Sequence, residues 1–94
     1  MTASIIKRKA TEADLKKLGV ENWSPWSCEP STFDWEYADN ETAYVQSGKV
    51  TVKPEGGEEV VIEAGDLVTF PRGMKCVWTV HETIRKVYKF NQPI

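Results

Sequence analysis

The chain has 94 residues, 12 basic and 14 acidic side chains, a single His and a formal net charge of −2, the size of one domain. A hydrophobic fraction of 40% and an aromatic fraction of 11%, with four Trp, mark a globular composition rather than a disordered one. No apolar run approaches the roughly 18 residues of a membrane span, and the charge balance lacks the basic footprint of a nucleic-acid surface, so neither a membrane nor a nucleic acid is an expected partner.

At this size folding removes about 64% of the unfolded chain's surface from water. That supports one domain over residues 1–94 with a thin core, which a homodimer interface would supplement. Met1 to Ala10 has no apolar stretch of the signal-peptide kind, and its Lys7-Arg8-Lys9 cluster reads as a solvated tail. Cys28 and Cys76 lie far apart and make no disulfide framework, which points to a reducing compartment. The expected location is intracellular and cytoplasmic, with a plastid as the alternative if a transit peptide has been removed.

The first predicted element is a short helix at about residues 12–18. Thr11 can cap it with Asp14 as the capping-box partner three residues on, Leu15 and Leu18 share a face, and Gly19 is the natural stop. No later stretch has a helical period beyond two turns, and Pro25, Pro30, Pro54, Pro71 and Pro93 punctuate the remainder of the chain.

From residue 31 the period is two. Phe33, Trp35 and Tyr37 alternate with Asp34 and Glu36, so three aromatics face one way. Asp39-Asn40 turns, Glu41 to Gln46 is a strand, Ser47-Gly48 turns again, and Lys49 to Lys53 alternates with valines inward. Pro54-Glu55-Gly56-Gly57 is a hairpin connection to Val60–Ile62. Ala64-Gly65-Asp66 leads into Leu67–Phe70, Pro71-Arg72-Gly73 breaks that strand, and Cys76–Val80 and Ile84–Phe90 complete the set. Seven or eight short strands with turns about every 8–12 residues indicate an all-β sandwich or small barrel, with the barrel at about residues 27–90 and Asn91 to Ile94 at most an edge contact.

Phosphate loops, a Ser-His-Asp arrangement, Cys-x-x-Cys and zinc spacings are missing, and one His rules out a multi-histidine metal site. A spaced pattern does run through the strands: Glu41, six residues, Gly48; then Gly65, five residues, Pro71-x-Gly73, two residues, Cys76, three residues, Val80. It resembles the two motifs of the cupin superfamily. Trp23-x-x-Trp26, Phe33-Asp34-Trp35, Glu41-Thr42, Gly48-Lys49-Val50 and Gly65 to Cys76 are most similar to the small single-domain cupins grouped with the cupin domain of (S)-ureidoglycine aminohydrolase. The resemblance implies an RmlC-like jelly roll, a conical double-stranded β-helix with a pocket at its wide end.

Metal-binding cupins hold a divalent ion with two His of an His-x-His, the motif-one Glu and the motif-two His. Carried over, the His pair falls on Trp35 and Tyr37, the motif-two His on Cys76 and the motif-two Asn on Val80; only Glu41 keeps its type, and His81 falls on no ligand position. Glu41 and Cys76 are two donors of mismatched hardness where three are normal, so neither a metal nor another cofactor is expected. The vacated position reads as an aromatic-walled pocket of Trp35, Tyr37 and Trp78 with the Glu41 carboxylate and the Cys76 thiol. Each has a plainer role: the aromatics as barrel filling, Glu41 as a hydrogen-bond acceptor, Cys76 as a small buried apolar residue.

The expected function is metal-free binding of a small organic molecule, with the aromatic faces favouring a cationic group. The alternatives are an enzyme and an interaction module. The enzyme would be a ureidoglycine aminohydrolase-like hydrolase needing a divalent metal, or a metal-free isomerase or epimerase in which Glu41 or Tyr37 moves a proton. The module would be a dimer that Trp23 and Trp26 could anchor if exposed, although their plainer role is to cover the barrel end or an edge.

Overall fold

A computed structural model describes residues 5–94. Among them, β1 (Ile6–Lys9) is followed by α1 (Glu12–Leu18), a single 3-10 turn (Val20–Asn22), β2 (Ser24–Cys28), β3 (Ser31–Glu36), β4 (Glu41–Pro54), β5 (Val60–Glu63), β6 (Asp66–Phe70) and β7 (Lys75–Phe90). Every pairing is antiparallel: the order is β1-β6-β4-β7-β2, with β3 also on β7 and β5 also on β4. This all-β jelly roll with one short helix is the architecture that the motif resemblance implies. No helix in the described residues is long and apolar enough to cross a membrane.

The helix forms as its ends dictate. Thr11 Oγ1 accepts from the Asp14 amide at 3.1 Å, Asp14 accepts from the Thr11 amide at 2.8 Å, and Gly19 closes the helix in the left-handed conformation. Asp14 also takes Arg8 at 2.6 Å; this guanidinium and the Thr11 amide hold its carboxyl well below the usual carboxylate range. Lys7-Arg8-Lys9, expected as a tail, is instead part of β1 and pairs with Val68, Leu67 and Asp66 of β6. All four β1 side chains are exposed, so no alternation of polarity announces the strand. Its lysines are tied down by β5 and β6: Lys7 Nζ donates to the Val61 carbonyl at 2.8 Å, and Lys9 Nζ lies 3.0 Å from the buried Asp66 carboxylate. At the other end, the Gln92 carbonyl accepts from Thr42 Oγ1 at 2.6 Å, so the C-terminus makes the edge contact allowed for it.

Gly48 also departs from expectation. The Ser47-Gly48 turn is absent, and β4 runs through it as one 14-residue strand. Likewise β7 runs for 16 residues through the gap expected between Val80 and Ile84. The two long strands pair along most of their length, with register shifts between Val45 and Val50. Gly48 marks a close approach of backbones: a Cβ there, at φ 96°, would stand 2.3 Å from the Thr83 carbonyl oxygen and 2.6 Å from the Ile84 Cα. With a glycine at this point, β4 and β7 stay paired through the irregularity and carry residues from both strand halves into one barrel.

The interior obeys the period of two. Val45, Val50 and Val52 of β4, Ile62 of β5, Val68 and Phe70 of β6 and Ile84 of β7 are each at most 1% exposed. A smaller cluster of Trp23, Leu67 and Val87, with Leu18 against it, seats the helix on the other face of the sheet. Trp23 is therefore core, 7% exposed.

Gly48→Ala is expected to destabilise the protein by at least about 3 kcal/mol, since a strained φ and a backbone clash add together. Gly56→Ala, also at positive φ but with nothing within 4 Å, should cost about 1–2 kcal/mol. Urea unfolding of the two variants measures the difference; equal losses would mean that the β4–β7 approach is not tight.

Candidate functional site

One end of β7 alternates Ile84, Lys86 and Tyr88 toward the main core cluster, while Val87 faces the smaller one. Lys86 thus enters the barrel by the same period that buries its apolar neighbours. Its neighbours across the sheet are Trp26 on β2 and Val45 on β4. Its side chain is 7% exposed and its Nζ lies 2.7 Å from Glu41 Oε2. Glu41 opens β4, opposite Phe70 and Phe90, and its side chain is also 7% exposed.

Aromatic faces surround this ion pair. Lys86 Nζ is 4.9 Å from the ring centroids of both Trp26 and Trp78, 5.7 Å from Tyr88 and 5.8 Å from Phe70. Burial lowers the lysine's pKa, and the Glu41 charge and hydrogen bond pull it part of the way back. Tyr37 stacks on Phe70 with centroids 4.7 Å apart, and its hydroxyl accepts from Trp78 Nε1 at 3.2 Å. Burial, and then the Glu41 charge, hold that phenol well above its ordinary range, so it stays neutral.

Trp26, Phe33, Trp35, Tyr37, Glu41, Trp78, Lys86, Tyr88 and Phe90 enclose a cavity of about 280 Å³. Four of the five site residues expected from the sequence, Trp35, Tyr37, Glu41 and Trp78, line it together. Phe33 and Trp35 share a face of β3, and Tyr37, one residue past its end, lines the cavity with them. Trp35 and Phe90 are each half exposed and stand at the rim. Trp26 is partly buried in the cavity wall, edge-on to Trp78.

The fifth, Cys76, is placed differently. It pairs with Trp35 across the β3–β7 ladder, its Sγ lies 3.6 Å from the Trp35 carbonyl, and it borders an open groove with Asp34, Lys53 and Lys75. Burial pushes its thiol up to about 11. His81 bonds Thr51 Oγ1 at 2.7 Å on the exposed face, away from the cavity.

Sequence reasoning missed Lys86, together with Tyr88 and Phe90 as cavity walls. The available signal was the alternation Ile84, Lys86, Tyr88, in which a lysine takes an inward place.

The donor set does not fit a cupin metal. Indole and neutral phenol stand at the positions of the paired His, a thiol held protonated stands at the motif-two His, and the one carboxylate is bonded by an ammonium. Among the described residues no three His, Cys, Asp or Glu side chains come together.

Comparison with known proteins supports the cupin fold. The family described as the EutQ-like cupin domain matches residues 15–88. The crystal structure of a DUF861-family protein from Thermotoga maritima is 49% identical, with a TM-score of 0.91 over 93% of this chain and 99% of that one. The EutQ protein of Clostridium difficile is 23% identical, with a TM-score of 0.64 over 89% of this chain and 64% of that one. A putative ethanolamine utilization protein Q from Salmonella typhimurium is 22% identical, with a TM-score of 0.59 over 92% and 68%. At these identities the last two establish the fold. No curated protein matches the sequence.

Lys86→Met is expected to cost about 3–5 kcal/mol by leaving the Glu41 carboxylate buried alone, and adding Glu41→Gln should recover most of it. Thermal and urea unfolding of the single and double variants read this coupling, and simple additivity would mean that the pair is not formed. For the thiols, iodoacetamide at pH 8 should modify Cys28 well before Cys76, which is only about 0.1% thiolate at that pH. The Cys76 rate should rise about tenfold per pH unit from pH 8 to 10, followed by mass spectrometry of the Cys28→Ser variant. A pH-independent rate would contradict the raised pKa.

Proposed function

The chain belongs to the EutQ-like cupin family, and from that premise we propose that it binds a small organic molecule in the aromatic cavity, directly on side chains and without a metal. The observation that carries the reading is the Lys86–Glu41 pair at 2.7 Å in the wall of that cavity. A divalent cation entering there would meet an ammonium already bonded to the one carboxylate positioned to hold it, and the remaining donors are weak or neutral.

The same pair changes the expected ligand. The aromatic faces that suited a cationic guest already take Lys86, so an amine-bearing ligand would meet a like charge inside the cage. The cavity instead favours a flat, uncharged or carbonyl-bearing molecule, stacked on indole and phenyl faces with its oxygen toward Nζ. A volume of about 280 Å³ lies just below the range of drug-sized pockets and selects a smaller guest. Within the cupins we place the chain with those grouped with (S)-ureidoglycine aminohydrolase, on Trp23-x-x-Trp26 and the run from Gly65 to Cys76. The aminohydrolase reaction itself would need a divalent metal, and the donor set speaks against it.

A fragment screen by ligand-observed NMR tests the reading, with tryptophan fluorescence as a second signal. Small uncharged aromatic and carbonyl fragments are expected to bind, and Trp35→Ala, at the exposed rim, should weaken them about tenfold while leaving the fold intact. Zinc or manganese should leave the melting temperature unchanged. Stoichiometric metal in natively purified protein, removed by Glu41→Gln, would overturn the proposal.

A further inference from the structure

We propose that Lys86 is an imine-forming residue: its Nζ, held in the aromatic cavity 2.7 Å from the Glu41 carboxylate, condenses with a small aldehyde or ketone. The proposal rests on the small-molecule reading above and names the reactive group of its ligand.

Four observations converge on this amine. Lys86 is the one lysine among the described residues whose side chain lines the cavity, and the other eight lysines are all exposed. Its desolvation favours the neutral, nucleophilic amine, and the pKa is indeed pulled down by burial. Glu41 lies within proton-transfer distance on one side and is itself enclosed. Finally, the iminium product is a cation like the ammonium it replaces. The carboxylate and the indole faces of Trp26 and Trp78 that hold one can hold the other, so condensation leaves no new buried charge.

The step balances without a redox partner. A proton passes from the Lys86 ammonium to Glu41, leaving a neutral amine and a carboxylic acid. The nitrogen lone pair forms the C–N bond while the carbonyl π pair moves to oxygen, which takes the Glu41 proton. The carbinolamine nitrogen returns a proton to Glu41, Glu41 delivers it to the hydroxyl, and water leaves as the C=N bond forms. The products are a protonated imine, a carboxylate and water.

The test uses the whole wild-type protein with butanal as probe and sodium cyanoborohydride as trap at pH 7, read by peptide mass mapping. Lys86 is expected to be alkylated at least about tenfold faster than exposed Lys16, Lys17 or Lys49, whose amines are fully hydrated. Unfolding in urea should erase the preference, which reads folding rather than sequence context. In parallel, butan-1-ol, which occupies the same space without a carbonyl, is followed by tryptophan fluorescence. Alcohol binding with no preferential label at Lys86 would overturn the imine and leave the binding reading standing. Neither binding nor labelling would overturn both. Lys86→Arg, which keeps the charge without the reactive amine, should lose the fast-labelled peptide; if another lysine then labels equally fast, the assignment fails.

Discussion

A charged pair inside a barrel of this size constrains everything around it. Lys86 and Glu41 stand where transfer from water costs several kcal/mol per ion, and their mutual attraction offsets that only with good geometry and further partners. Those partners are the aromatic faces that ring the ammonium. The aromatic richness of this short chain then has a physical purpose: the rings make a water-poor cavity and also solvate the cation within it. The neutral phenol of Tyr37 results from the same enclosure, since further negative charge here would be desolvated beside Glu41.

The fold delivers the two charges to one place through its two longest strands. Glu41 opens β4 and Lys86 lies late in β7, 45 residues on, yet the β4–β7 ladder brings the strand ends together. That ladder survives its register shifts because the backbones of Gly48 and Thr83 approach more closely than any side chain allows. The same glycine satisfies the family's motif spacing and this local steric requirement, which gives the motif a mechanical meaning distinct from a turn.

Within the cupin framework the exchange of chemistry is coherent. The motif-one carboxylate is retained, but its counter-charge is covalently attached to the protein. A bound ion offers open coordination positions to a ligand. A lysine offers a hydrogen-bond donor or, once deprotonated, a nucleophile. An ammonium is also smaller in charge than a divalent ion, so apolar walls can enclose it, and the positions of the metal-ligating His are free to become Trp35 and Tyr37.

Much of this protein was legible in its residues. The helix at 12–18 is written in local chemistry: a capping hydroxyl, a carboxylate three residues on and a closing glycine. The inward faces of β3 and β4 come from a period of two, while the meeting of Trp35, Tyr37, Glu41 and Trp78 was implied by the motif resemblance. The β1 strand escaped notice because its side chains are all solvated and only backbone bonds to β6 define it. Gly48 was misread because a close approach and a turn both call for glycine, and only the position of Thr83 distinguishes them. The partner of Glu41 was hidden for the same reason. A lysine on an alternating strand is ordinarily solvated, and nothing local says which face of β7 will be closed over. Local sequence determines what depends on neighbours a few residues away; burial of a charge depends on chain segments that meet only when the barrel closes.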